Sequence, residues 1–266
     1  MDTRLQPCGI MAVDIGNTSI KVYREVYGGG EISLSCRRVE TLEAAESIRK
    51  NEGIERVAFL STRHLSEDER GVVEENDWWE FTSTVPVPMD VRYDRSTLGP
   101  DRLAAALGGW KEFYKEGCLV VDSGTALTLD LITPSGEYRG GNISPGLRLR
   151  FRSLADYTSK LPLVDNVENP VAFGANTVEA ITAGVVNGMV YEIAGTYAVA
   201  RKEFCIDNIL LTGGDIDLLH RCLVSRLDAL FLHHDGDDGR RMEKCFRVDP
   251  DIVGKGLIEA YKYNHE

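Results

Sequence analysis

The sequence has no apolar run of the roughly 18 residues that a transmembrane helix needs. Its first residues lack the apolar core of a secretory signal peptide. Positive charge is also scarce, because 30 Lys and Arg residues face 42 Asp and Glu, which gives a formal net charge of −12. A nucleic-acid-binding protein needs a basic surface to neutralise phosphates. We therefore expect a cytoplasmic protein that binds neither membrane nor nucleic acid.

Cysteine is infrequent and irregularly spaced, with six residues and no Cys-x-x-C pair. Neither a disulfide framework nor a zinc site is expected, and we interpret all six as reduced, with Cys118 and Cys205 buried beside apolar runs. The run His233-His234-Asp235 has metal-binding residue types. Since the acidic, glycine-containing stretch 235–239 follows at once, a solvated loop is the favoured interpretation.

The apolar pattern predicts an α/β protein, and 266 residues suffice for two ordinary cores. Predicted strands are 10–14, 19–27, 31–36, 56–61, 81–85, 118–122, 126–132, 137–142 and 209–212. Predicted helices are 41–52, 66–76, 102–115, 177–200 and 253–263. Hairpins followed by helical crossovers favour mixed sheets flanked by helices. We expect two duplicated halves, 1–116 and 117–266, with a ligand cleft between them.

A phosphate-loop signature occurs twice, as Asp14-Ile-Gly-Asn-Thr-Ser-Ile-Lys21 and as Asp122-Ser-Gly-Thr-Ala-Leu-Thr-Leu-Asp130. In each copy a buried strand ends in Asp, and a glycine turn with hydroxyl side chains follows. The carboxylate suits a hydrated cation, and glycine lets backbone N–H groups approach phosphate oxygens. The pair predicts nucleotide binding and phosphoryl transfer. An ordinary hairpin turn and solvated threonines remain the alternatives.

The stretch Gly99-Pro-Asp-Arg102 opens a predicted helix. The helix dipole and Arg102 both favour an ionised Asp101, which could accept a proton from an alcohol during phosphoryl transfer. Arg102 could bind a carboxylate of the acceptor. The alternative is an Asp that only caps the helix.

Two further glycine-rich stretches have an ambiguous meaning. Gly140-Gly-Asn-Ile-Ser-Pro-Gly146 predicts a rigid loop to which a ligand can approach closely, or else a plain linker. Gly213-Gly-Asp215 follows a buried strand and could lie against an adenine or a ribose.

Taken in order, five motifs resemble those of type III pantothenate kinases. They are Asp14–Lys21, Thr97–Arg102, Val121–Asp130, Gly140–Gly146 and Leu161-Pro162. The resemblance covers residues from about 10 to 262. That family belongs to the superfamily of acetate and sugar kinases, heat-shock chaperone ATPases and actin. It therefore implies two duplicated ribonuclease-H-like domains.

The resemblance also implies a reaction, the ATP-dependent phosphorylation of pantothenate to 4′-phosphopantothenate, the first step of coenzyme A biosynthesis. Asp101 would be the general base. The residues implied to bind ATP are Asp14, Ile15, Gly16, Asn17, Thr18, Ser19, Ile20, Lys21 and Thr125. Those implied to bind pantothenate are Tyr93, Gly99, Pro100, Asp101, Arg102 and Thr177.

The implied cofactors are Mg²⁺, with Asp14 near the divalent ion, and a monovalent cation, K⁺ or NH₄⁺, bound by Asp122. The implied assembly is a homodimer with substrate sites at the subunit interface. Two alternatives remain open on the sequence. One is a related kinase that acts on a sugar or a short acid, although the Cys-rich zinc motif of many sugar kinases is absent. The other is a nucleotide-binding regulatory protein without catalysis.

Overall fold

The computed structural model describes residues 7–28, 31–165, 167, 170–231 and 246–266. The chain divides into two compact units, one within Met1–Glu112 and Asp251–Glu266 and the other within Phe113–Pro250. None of the helices in the described residues combines the length and apolar character needed to cross a membrane. The predicted loop with His233-His234-Asp235, including the acidic stretch 235–239, lies outside the described residues.

The sheet of the first unit begins as the predicted meander. Its strands are β1 (Pro7–Ile15), β2 (Ile20–Gly28), β3 (Glu31–Val39), β4 (Arg56–Ser61) and β5 (Trp79–Glu80), in the order β3-β2-β1-β4-β5. The first three are antiparallel, whereas β4 runs parallel to β1 and β5 runs parallel to β4. A two-residue strand, β6, lies at Asp90–Val91. The helices are α1 (Leu42–Glu52), α2 (Glu67–Glu75) and α3 (Pro100–Glu112).

Two of these helices begin where the sequence places their caps. Thr41 Oγ1 accepts a hydrogen bond from the Ala44 amide at 3.3 Å at the start of α1. Ser66 and Glu69 form a reciprocal capping box at the start of α2, with bonds of 3.2 and 2.9 Å. Such side chains satisfy amides that have no partner within the helix.

The second unit repeats the strand order of the first. Its strands are β7 (Cys118–Ser123), β8 (Ala126–Ile132), β9 (Glu137–Pro145), β10 (Ile209–Gly213) and β11 (Phe246–Val248), in the order β11-β10-β7-β8-β9. Here too an antiparallel meander is extended by two parallel strands. The helices are α4 (Leu147–Asp156), α5 (Thr177–Phe204) and α6 (Ile216–Phe231). The predicted α/β architecture with two mixed sheets flanked by helices is confirmed.

Helix α5 buries one face along its length in the core of the second unit. The buried residues recur every four positions, which keeps them on one side of a helix. They are Ile181, Val185, Met189, Ile193 and Tyr197.

The last helix, α7 (Ile252–His265), belongs to the first unit, although the expected division assigned all of 117–266 to one half. Small residues let it approach α3 closely, because a Cβ on Gly256 would overlap the Ala104 carbonyl oxygen and one on Gly108 would overlap Ile252. Since this packing is between residues far apart in the chain, no local pattern indicates it.

Three local expectations were wrong. The 81–85 stretch is not a strand, because the Arg95 side chain donates to the carbonyls of Ser83 and Val85 at 2.6 and 2.5 Å in place of a sheet neighbour. The expected loop at 140–146 lies largely in β9, where a Cβ on Gly141 would overlap the Leu129 carbonyl. Cys205 is exposed, because it ends α5 in a left-handed conformation with φ of 58°.

Candidate functional site

The first phosphate turn joins β1 to β2. The Gly16 amide donates to the Ser19 carbonyl at 3.0 Å and closes the turn, while Asn17 and Thr18 are exposed at its tip. Asp14 lies one residue before the end of β1, opposite Lys21 of β2. The predicted constellation of carboxylate, tight turn and lysine is therefore present in one hairpin.

Burial raises the pKa of the Asp14 carboxyl from 3.8 to about 6. The positive charge of Lys21 opposes this shift, and the negative charge of Asp101 adds to it. The start of α3 therefore lies within electrostatic reach of the first turn. A buried carboxylate with a raised pKa is suited to bind a cation, because the positive charge would lower the pKa again.

The start of α3 depends on a glycine and a proline. The Leu103 amide donates to the Gly99 carbonyl at 3.2 Å, and Pro100, which has no amide hydrogen, is the first helical residue. A Cβ on Gly99 would lie 2.5 Å from Asp101 Oδ1. The Asp101 carboxylate therefore lies against the Gly99 backbone, at a position where a larger side chain would clash with it.

Tyr93 and Arg102, both predicted to bind substrate, lie side by side. The Arg102 guanidinium carbon lies 5.4 Å from the centre of the Tyr93 ring. Arg102 is 6% exposed. A cation over an aromatic face is held electrostatically, so the ring fixes the position of the guanidinium.

The second phosphate turn joins β7 to β8 and holds Asp122. The Gly124 amide closes the turn on the Ala126 carbonyl at 3.0 Å. On the neighbouring strand β10, Gly213 has φ of +103°, and a Cβ there would lie 2.6 Å from Asp122 Oδ1. The carboxylate therefore lies in a cradle that a larger residue would fill, a geometry that fits a bound cation.

The hydroxyl groups of this second turn have different environments. Ser123 is fully buried, and its Oγ has no hydrogen-bond partner among the described residues. Thr125 is exposed. Across the described residues, no three His, Cys, Asp or Glu side chains form a metal-binding group. Mg²⁺ commonly takes one or two carboxylates and completes its shell with water and substrate phosphates, so single carboxylates fit this role.

Thr177 is the first residue of α5 and is exposed. Asn176 caps this helix by accepting from the Glu179 amide at 3.0 Å, and Glu179 accepts in turn from the Ala175 amide at 2.8 Å. Thr177 therefore lies at the capped start of α5.

Asp215, the last residue of the stretch Gly213-Gly-Asp215, lines a cavity of about 550 Å³. Burial raises the pKa of Asp215, and the charge of Arg148, which also lines the cavity, opposes the rise. Leu147, Phe151 and Leu218 add apolar surface. The cavity therefore combines charged groups, among them Arg152 and Asp165, with apolar ones.

Sequence reasoning missed the segment after β4. The Thr62 amide donates to the Ile15 carbonyl at 3.1 Å, and Arg63 Nε donates to the Gly16 carbonyl at 3.3 Å. Arg63 also pairs with both oxygens of Glu69, which lowers the pKa of that carboxyl to about 2. One available signal was the position of Arg63, two residues beyond the predicted strand 56–61.

Comparison with known proteins identifies relatives along most of the chain. A family model described as type III pantothenate kinase matches residues 10–199. A type III pantothenate kinase from Porphyromonas gingivalis is 38% identical over 182 residues, which cover 67% of each chain. One from Azobacteroides pseudotrichonymphae is 34% identical over 262 residues and covers 95% of this chain and 96% of the relative.

Solved structures share the fold at low identity. A Campylobacter jejuni protein assigned to the Baf family of transcriptional activators gives a TM-score of 0.57 at 18% identity and covers 96% of this chain and 98% of its own. A glucokinase from an Antarctic psychrotroph gives 0.54 at 10% identity and covers 98% and 100%. These likenesses concern the fold, whereas the sequence matches concern the family. The chain belongs to the type III pantothenate kinase family.

Proposed function

We propose that this protein transfers the γ-phosphoryl group of ATP to the hydroxymethyl oxygen of pantothenate and so forms 4′-phosphopantothenate. The observation that carries the proposal is the electrostatic coupling of Asp101 to Asp14, in a chain of this kinase family. This coupling supports a site in which the candidate base Asp101 lies near the phosphate turn that follows Asp14. Family membership favours this acceptor over a sugar.

In this proposal the first turn binds the phosphates of ATP. Backbone amides of a tight glycine turn are natural donors to phosphate oxygens, and Lys21 supplies a positive charge. The residues assigned to this role are Asp14, Ile15, Gly16, Asn17, Thr18, Ser19, Ile20 and Lys21, together with Thr125 of the second turn. Mg²⁺ near Asp14 would neutralise charge on the phosphates.

Asp101 acts as the general base. Its carboxylate takes the proton of the pantothenate hydroxyl as the oxygen bonds to the γ-phosphorus and the bond from that phosphorus to ADP breaks. Asp101 later releases the proton to water. Arg102 holds the pantothenate carboxylate, while Gly99, Pro100 and Tyr93 shape the pocket around it. The burial of Arg102 supports this role, because a charge-assisted hydrogen bond is stronger away from water.

Asp122 holds the monovalent cation, K⁺ or NH₄⁺, and Thr177 contacts pantothenate. Support for the cation comes from the glycine cradle around the Asp122 carboxylate. Each sheet contains an antiparallel meander of three strands extended by two parallel strands, and this shared arrangement supports the interpretation of two ribonuclease-H-like halves.

We also propose a homodimer. Its support is a set of large apolar side chains exposed on the second unit, because such surface in water favours association. Tyr157 is 89% exposed and Phe173 is 94% exposed. Sedimentation equilibrium of the protein with both residues changed to Ser tests this, with Tyr263→Ser as the control. A dimer that persists in the double variant would contradict the assignment of this surface.

The function is tested by incubating purified protein with ATP, Mg²⁺ and pantothenate in K⁺ or Na⁺ buffer. Phosphopantothenate formed only in K⁺ supports both the reaction and the Asp122 cation site. Product in both buffers would support the kinase reaction and contradict the requirement for K⁺. Bound ATP without product in either buffer would overturn the proposed acceptor.

A further inference from the structure

We propose that Arg63 is a positioning residue that holds the first phosphate turn in the orientation needed to bind ATP. The inference rests on the proposed function, because it concerns the ATP side of that site. Arg63 lies outside the motifs on which the family resemblance depends, and no role was expected for it.

Two hydrogen bonds join the segment after β4 to the first phosphate turn. The Thr62 amide donates to the Ile15 carbonyl at 3.1 Å, and Arg63 Nε donates to the Gly16 carbonyl at 3.3 Å. In a trans peptide the carbonyl and the following amide hydrogen point in opposite directions. A Gly16 carbonyl drawn toward Arg63 therefore directs the Asn17 amide hydrogen away from it, at the exposed tip of the turn.

The Arg63 side chain is itself held in place by hydrogen bonds to other residues of the protein. Its two terminal nitrogens donate to the two oxygens of Glu69 at 2.7 and 2.6 Å, a fork that defines the plane of the guanidinium. Glu69 also accepts from the Ser66 amide at 2.9 Å, as part of the capping box of α2. The turn is thus tied through Arg63 to the first turn of a helix, an arrangement typical of a preorganised site.

The same surroundings supply a matched control. Arg63 and Arg70 both line a cavity of about 570 Å³ that also contacts Trp78. The Arg70 guanidinium donates to the Leu65 carbonyl at 3.4 Å, and Leu65 is not part of the phosphate turn. Loss of either arginine removes one positive charge from the same cavity. Only the Arg63 substitution removes the bond to Gly16.

The test compares Arg63→Ala with Arg70→Ala in the full chain. We expect Arg63→Ala to raise the KM for ATP and the calorimetric Kd for ADP by about tenfold, as loss of a preorganised donor set allows. The KM for pantothenate should stay within about twofold, and Arg70→Ala should leave all three constants unchanged. Equal rises for ATP and pantothenate, or no rise at all, would overturn the proposal.

A second variant, Arg63→Lys, keeps the proposal testable if Arg63→Ala does not fold. Arg63→Lys keeps the charge but has one nitrogen in place of the three that bond Gly16 and Glu69, so an ATP-selective loss smaller than that of Arg63→Ala is expected. If Arg63→Ala does not fold, a lysine variant with unchanged nucleotide affinity contradicts the inference. Wild-type protein that binds ADP through Arg63 but forms no phosphopantothenate would refute the proposed function alone. If the wild type is active and Arg63→Ala has the same nucleotide affinity as Arg70→Ala, the inference about Arg63 is refuted and the proposed function is not.

Discussion

The guanidinium of Arg102 lies 5.4 Å from the centre of the Tyr93 ring, and Arg102 is almost fully buried. The two residues come from different segments, a loop and the first turn of α3. The aromatic face restricts the guanidinium in a place where few water molecules can stabilise it. In the role proposed for Arg102, the Tyr93 ring can therefore influence the binding of the pantothenate carboxylate through the position of the guanidinium.

Replacing Tyr93 by Leu should raise the KM for pantothenate about twofold to thirtyfold, because a cation–π contact of roughly 0.5–2 kcal/mol is lost. Tyr93→Phe keeps the ring and should stay within about twofold of wild type. Steady-state kinetics with pantothenate as the varied substrate measure the effect. Equal losses in both variants would show that the hydroxyl group matters and the ring does not.

Asp101→Asn should lower kcat by at least about 100-fold, because the amide cannot accept the proton of the hydroxyl. The affinity for ADP and the unfolding temperature should remain close to wild type, since the two side chains are almost equal in volume. Asp68→Asn, in the exposed first turn of α2, serves as the control and should retain activity. An active Asp101→Asn enzyme would remove Asp101 from the role of base.

Asp14 should make stability dependent on pH in a defined direction. Its pKa is about 6 in the folded protein against 3.8 ordinarily, so between these values the folded state binds more protons and stability falls as pH rises. Asp14→Asn lacks this loss. Urea unfolding at pH 5 and pH 7.5 should show the variant gaining about 1 kcal/mol on wild type at the higher pH, while its kinase activity is lost. If the difference in unfolding free energy between Asp14→Asn and wild type did not change with pH, the raised pKa of Asp14 would be contradicted.

Two adjacent glycines allow a paired test of the second turn. A Cβ on Gly213 would meet Asp122 Oδ1 at 2.6 Å, and φ of +103° disfavours any other residue. A Cβ on Gly214 meets nothing within 4 Å. Gly213→Ala should lower the free energy of unfolding by about 1–3 kcal/mol and reduce activation by K⁺, whereas Gly214→Ala should change neither appreciably. Full K⁺ activation of Gly213→Ala would argue against a cation at Asp122.

Features with a local cause were accessible from the sequence. Thr41 and Ser66 cap helices because their own side chains bond amides three residues later. The turn after Asp14 follows from a glycine between two apolar strands. The repeated mixed sheet follows from the repeated order of these local elements.

Features that depend on distant segments were not accessible. Arg63 meets Gly16 because β4 pairs in parallel with β1, and nothing in the residues near 63 specifies that partner. The 81–85 stretch alternates like a strand, yet Arg95 occupies its carbonyl groups. The placement of α7 depends on glycines that match α3 only once both helices exist.

The position of α7 also sets the order in which a ribosome can complete this molecule. Residues 7–112 emerge first, but the helix that packs on α3 is translated only after the whole of Phe113–Pro250. At synthesis rates of about 5–20 residues per second, the first unit waits several seconds or longer with the α7-facing surface of α3 uncovered. The second unit can meanwhile fold as an uninterrupted insert. Synthesis of α7 is then the event that completes the first unit, so loss of this helix would affect a part of the protein that is made much earlier.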